Sequence, residues 1–220
     1  DAHMEWNLWK SIRAMVHYTF SVDRAILRAI LALSWFMLVG SVYMAQFANY
    51  AGSVVHANNE VYILFLTVFS IGLAIGSVVC DTILKGEIST RTIPWATLGI
   101  SAFTFLMVIA TPTAAHEELI DVATFLQMPS HWLLLLFMLL VSISGGLYMV
   151  PLYTILQSRA DEQYRSRIMA ASNFSDSIFM TLAAVVSALL LALGFGILHL
   201  FLIVATLNLG AIAYARRLDS

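Results

Sequence analysis

Two polar side chains enter an apolar helical stretch one turn apart. In the run GGLYMVPLYTILQSRADEQYRSRIMAASNFSDSIFM, from Gly145 to Met180, they are Asn173 and Asp176. Polar and ionisable groups inside a greasy helix are costly to hold, so they are candidates for function. Facing a central cavity, Asp176 would bind a headgroup amine or exchange a proton. The alternative is an acid held neutral, or bonded to a Ser or Asn of a neighbouring helix. Arg24 and Arg28 open another apolar run, followed by the polar set Ser34, Gln46 and Asn49. A guanidinium matches phosphate oxygens bidentately, which suits Arg28 to a lipid phosphate. An Arg within a turn of a membrane interface also snorkels and serves as a topology anchor.

Other chemistry is poorly supplied. The single Cys80 excludes an intrachain disulfide and any CxxC motif. His56, His116, His131 and His199 are scattered, without HxxxH or a His and acid cluster, so no metal and no cofactor is expected. HxxxxD, the pair an integral membrane acyltransferase would need, occurs as His116 to Asp121 with no supporting context. The chain does not read as an enzyme, and no nucleic-acid partner is expected. Its Met and Phe residues read as core or lipid-facing packing.

The elements that must position these residues are membrane spans. The 220 residues are 60% hydrophobic and 11% charged, with a mean hydropathy of +0.87. Soluble domains carry roughly 25% charged residues. Runs of about 20 apolar residues recur, each long enough at 1.5 Å per residue to cross about 30 Å of hydrocarbon. The expected fold is an all-α membrane protein with six transmembrane helices, near 25–50, 60–84, 92–111, 131–157, 168–193 and 195–215.

Residues 1–22 precede them as an amphipathic cytoplasmic linker helix. Trp9, Ile12 and Val16 lie on one face, Lys10, Arg13 and His17 on another, and Ser21 with Asp23 can cap the helix that follows. Residues 23–220 form the six-helix unit. Gly72 and Gly76 in the second span are spaced for close helix approach. Pro151, with Gly145 and Gly146, is expected to interrupt and kink the fourth. Glu117, Glu118 and Asp121 alternate with Leu119, Val122 and Leu126 as in an interfacial helix. No cleavable signal peptide is visible, and a start at Asp1 reads as a processed product or a piece of something longer.

Charge orients the spans. Lys10, Arg13, Arg24, Arg28, Lys85, Arg91, Arg159, Arg165, Arg167, Arg216 and Arg217, all 11 Lys and Arg residues, fall on one side of the six-span arrangement. The positive-inside rule places that side, with both termini, in the cytoplasm. The long outer segment after the third span divides the chain into two three-helix units of opposite orientation, the 3+3 inverted repeat of secondary transporters.

At Ser34 to Tyr50 (SWFMLVGSVYMAQFANY), at Val68 to Ile88 (VFSIGLAIGSVVCDTILKGEI) and at Gly145 to Met180, the chain resembles the C-terminal half of a major facilitator superfamily transporter. The type is the bacterial lysophospholipid transporter, also found fused to an acyltransferase and an acyl-carrier-protein (acyl-ACP) synthetase. The resemblance covers essentially the whole chain, including the linker.

It implies half of a 12-helix fold in the bacterial inner membrane, moving lysophospholipid, chiefly lysophosphatidylethanolamine, to the inner leaflet by alternating access. The implied partners are an N-terminal six-helix half, membrane lipids and an acyltransferase/acyl-ACP synthetase. First and fourth helices of such halves face the cavity, which makes Trp35, Gln46 and Asn49 path-lining candidates, although a Trp near an interface also suits an aromatic belt. Gly76 and Asp81 match the superfamily's loop motif, with Thr82 where relatives often carry Arg. That motif implies a latch in which Asp81 and Lys85 close the cytoplasmic face against Arg165 and Arg167; the alternative is a solvated loop. In the fifth span, Asp176 stands where relatives tend to have Asn. Two other functions fit the same spans: a half transporter for another amphiphile or drug, and a non-transporting scaffold or docking module.

Overall fold

The computed structural model describes residues 24–85, 89–112, 119–158 and 165–215. The expected linker helix with Ser21 and Asp23, and the residues Glu117, Glu118, His116, Arg159, Arg216 and Arg217, lie outside them. Among the described residues the structure is helical with no strand; a single parallel bridge joins Ala57 to Ile120. The helices are α1 (Arg24–Asn49), α2 (Asn59–Leu84), α3 (Ile93–Ile109), α4 (Val122–Gln127), α5 (Pro129–Ser158), α6 (Arg165–Ala192) and α7 (Ile197–Ala215). By length and composition α1, α2, α5 and α6 can each cross a membrane, whereas α3 and α7 are apolar but shorter.

Local chemistry sets the ends. Asn58 caps α2 by accepting from the Glu60 N–H at 2.9 Å, and Glu60 in the first turn complements the helix dipole. The helix stops at Lys85, in the left-handed region at φ 51°, whose N–H returns to the Asp81 carbonyl. Pro94 pre-sets the first turn of α3, where its missing N–H costs no helical bond. Between α6 and α7, Gly194 at φ 90° donates to the Leu191 carbonyl while Phe195 donates to that of Leu190. This Schellman arrangement is why so short a turn reverses the chain.

Helix α1 ends at Asn49, and the chain runs on as a π-helical turn, Tyr50–Val54. One expectation is corrected: helix α5 is not interrupted but passes unbroken through Gly145, Gly146 and Pro151. The glycines serve the packing of α5 instead. Gly72 and Gly76 of α2 lie against α5, where a Cβ on Gly76 would overlap the Ile143 carbonyl oxygen. From the other side, a Cβ on Gly146 would come 2.6 Å from the Leu73 carbonyl oxygen. The two backbones touch, which only glycine permits.

Helices α1 and α5 form the centre. Helix α5 packs on α1, α2, α3, α4 and α6, and α1 packs on α2, α5, α6 and α7; α3 and α7 pair with each other. The aromatic core joins Tyr43, Phe47 and Tyr50 of α1 and its π turn to Phe65 and Phe69 of α2 and Phe201 of α7. Loops at one end are tied together: the Ile120 N–H donates to the His56 carbonyl and the Asn58 N–H to that of Ile120. Buried His131 stacks on Phe125 and its Nδ1 meets the Phe125 carbonyl oxygen at 2.9 Å.

Candidate functional site

Small residues on two neighbouring helices leave room between them. Gly40 and Ala45 of α1 and Ala183, Ala184 and Ala188 of α6 wall a cleft of about 810 Å³, floored by Phe69 and Leu73 of α2. The lining is mostly apolar, with Ser41, Gln46 and Ser187 its polar members, and four methionines enter it: Met37, Met44, Met149 and Met180. Unbranched thioether side chains adapt to irregular apolar ligands. The wall runs from Phe36 to Gln46 on α1, roughly 15 Å at helical rise.

Polar groups mark both ends. Gln46, buried, lines one end, and its Oε1 accepts from Nδ2 of the exposed Asn49 at 3.2 Å. Of the expected path-lining residues, Gln46 is the one in the wall. At the other end, one turn before Met180 on α6, stands Asp176, and Ser34 stands just before the lining stretch of α1. The Ser34 Oγ is 2.7 Å from Asp176 Oδ1 and 2.7 Å from the Ser175 Oγ. A hydroxyl has one proton, and the carboxylate is the stronger acceptor. Ser34 therefore donates to Asp176, with the Ser175 Oγ as the alternative acceptor of the same proton. Asp176 is 7% exposed. Tyr153 of α5 stands within electrostatic reach of it, and Ser172, one turn earlier, has a buried Oγ with no partner among the described residues.

The remaining expected residues are dispersed. Asn173 is exposed on α6 and begins a row with Ser177 and Thr181, also exposed. Arg24 is exposed at the first residue of α1, and Arg28 is half-buried one turn on. Trp35 is not in the cleft wall: its Nε1–H donates to Asn208 Oδ1 on α7 at 3.0 Å. Asp81 and Lys85 are exposed at the end of α2, and Arg165 and Arg167 are exposed at the start of α6. Helix α2 packs on α1, α4 and α5, and α6 on α1, α5 and α7, so the helices that carry these residues share α1 and α5 as neighbours. Gly76 is a packing contact with α5.

A second polar centre had no counterpart in the sequence reading. Asn208 is buried at 2% exposure. Its Nδ2 donates to the Thr97 carbonyl and the Ser101 Oγ, both at 3.0 Å, while its Oδ1 takes the Trp35 proton. Farther along, Tyr43 bonds Thr104 and Tyr50 bonds Thr111, each at 2.7 Å. Both threonine hydroxyls donate back to their own helix, so the tyrosines are the donors. The row Thr97, Ser101 and Thr104 follows helical spacing on α3, with Thr111 just past its end, and would have signalled a polar seam. Asn208, alone in an apolar run, carried the same kind of signal as Asp176.

Outside the long helices, Asp121 caps α4 by accepting from the Thr124 N–H at 2.8 Å, and hydrogen bonding to Thr124 holds its carboxyl below the ordinary range. Cys80 is a buried thiol between Thr92 and the Leu147 carbonyl. Among the described residues no group of His, Cys, Asp and Glu could hold a metal ion. No protein-family model matches the chain, and no curated protein or solved structure matches it either.

Proposed function

We propose that this chain is the C-terminal six-helix half of a major facilitator transporter that moves a lysophospholipid, of the lysophosphatidylethanolamine kind, to the inner leaflet by alternating access. The observation that carries the reading is the α1–α6 cleft. Its apolar wall is roughly 15 Å long, close to the depth of one leaflet, half of the roughly 30 Å hydrocarbon core. It is mostly apolar, with Ser41 and Ser187 along it and Gln46 at one end, and the Ser34–Asp176 pair stands one turn beyond the other, as an amphiphile with one acyl chain requires.

Two features support the architecture. Exchanging α1, α2 and α3 with α5, α6 and α7 maps α2–α5 onto α6–α1 and α3–α5 onto α7–α1; it maps α1–α2 onto α5–α6 and leaves α1–α5 and α3–α7 in place. Of the packed pairs among these six helices only α6–α7 lacks its counterpart, as a 3+3 repeat in which α3 and α7 also span would have it. The exposed row Asn173, Ser177 and Thr181 on α6 is costly against lipid and favours a second bundle or a water-filled path beside it. By the positive-inside rule both termini face the cytoplasm of a bacterial inner membrane. In the alternating cycle Asp81, Lys85, Arg165 and Arg167 are the charges available to close the cytoplasmic mouth.

The test is uptake of labelled lysophosphatidylethanolamine into proteoliposomes carrying the full-length protein. Accumulation above protein-free vesicles is expected. Uptake of a different amphiphile alone would overturn the substrate, and uptake of none would overturn transport.

A further inference from the structure

We infer that Asp176, with Ser34 and Ser172 beside it, is a recognition site for the primary ammonium of the amphiphile whose acyl chain lies in the α1–α6 cleft. The inference rests on the transport reading and adds to it a headgroup chemistry and the atoms that read it.

The argument begins with the acid's partners. Asp176 is almost buried, and among the described residues its hydrogen-bond donor is the Ser34 hydroxyl. A carboxylate taken out of water needs an opposite charge or several donors. Ser34 supplies one donor and uses one oxygen, Oδ1. Among the described residues no hydrogen bond reaches the second oxygen, Oδ2. Ser172 is the second irregularity. Its Oγ is buried without a partner, whereas Ser177 and Thr181 on the same helix bond the carbonyl one turn back. Buried hydroxyls are nearly always bonded. An ammonium brings a positive charge and three donors to a carboxylate that has one.

Position selects the ligand. Asp176 lies one turn before Met180, the first α6 residue of the cleft wall. A free inorganic cation has no use for a 15 Å apolar wall, and a phosphate would be repelled by the acid. An ammonium joined to a single acyl chain uses both.

The experiment measures binding to the purified full-length protein in detergent micelles with three lipids of one acyl chain. They are lysophosphatidylethanolamine, its N-acetyl derivative, which lacks the ammonium, and lysophosphatidylglycerol. The unmodified protein is expected to bind the free amine about tenfold or more tightly than the N-acetyl lipid, the scale of a charge-assisted hydrogen bond. Asp176→Asn is expected to remove that preference, and Asp176→Glu to retain part of it. Equal affinity of the unmodified protein for the amine and N-acetyl lipids overturns the inference and leaves the transport reading standing. So does an Asp176→Asn protein that still prefers the amine. Failure of all three lipids to bind overturns both.

Discussion

Ser34 and Asp176, 142 residues apart in the chain, meet at 2.7 Å across the α1–α6 interface, and Ser175 completes the chain of hydroxyls. The two ends of this bond are not equivalent. Asn at 176 still presents an Oδ1 to accept the Ser34 proton, so Asp176→Asn is expected to keep most of the stability. Ser34→Ala removes the donor and leaves the acid short of a partner, a loss of about 1–3 kcal/mol. Apparent melting temperatures in detergent should fall clearly for Ser34→Ala and by less for Asp176→Asn. The reverse order would mean that the carboxylate is held by something other than Ser34.

Asn208 joins three helices through three bonds, to Trp35 of α1 and to Thr97 and Ser101 of α3. Asn208→Leu leaves the indole N–H and the Ser101 hydroxyl without that partner, and each buried orphan costs about 1–3 kcal/mol. Trp35→Phe removes one bond. The double variant is expected to lose less than the sum of the two, because the Trp35–Asn208 bond can be lost only once. A strictly additive cycle in thermal or denaturant unfolding would show that the bond contributes nothing.

The helices were legible because their apolar runs are long and their caps are local. Asn58, Pro94 and Gly194 sit at boundaries where their backbone chemistry requires them. Asp176 was legible as an anomaly for the same reason: charge in an apolar run is visible without a structure. Its partner was not, since Ser34 is one of many serines and nothing in the spacing joins residues in different helices. Trp35 is a similar case: its position in the first span is plain in the sequence, but its bond to Asn208, 173 residues away on another helix, is a tertiary fact. The glycines were read correctly as close-approach residues in α2, but Gly145 and Gly146 were read as an interruption. A glycine pair means a kink or a contact depending on what stands opposite it, and here α2 stands opposite.

Gly76 against Ile143 is therefore a sharper test of the α2–α5 contact than any polar substitution. A leucine there has to displace backbone and not the end of a flexible side chain. Overpacking of this kind costs about 1–3 kcal/mol or more. Gly76→Leu is expected to lower the melting temperature and to reduce disulfide crosslinking between cysteines placed at Leu73 and Ile143. Unchanged crosslinking and stability would show that α2 and α5 are not in backbone contact.

Asp121 gives a prediction in pH. Its carboxylate accepts from Thr124 at the start of α4, and that bonding lowers its folded-state pKa below the ordinary 3.8. A depressed carboxyl stabilises the folded form fully above the unfolded value, and the contribution disappears as pH falls through the lower, folded value. At neutral pH the cap is therefore intact, and acid should release α4 before the long helices. Hydrogen exchange at the α4 amides, corrected for the intrinsic rate, is expected to accelerate as pH drops below about 3.8 and to stay flat above it. Asp121→Asn, which caps without titrating, should abolish the pH step while keeping neutral-pH protection. Asp121→Ala should raise exchange at every pH. A step that survives in Asp121→Asn would assign the acid sensitivity to another group.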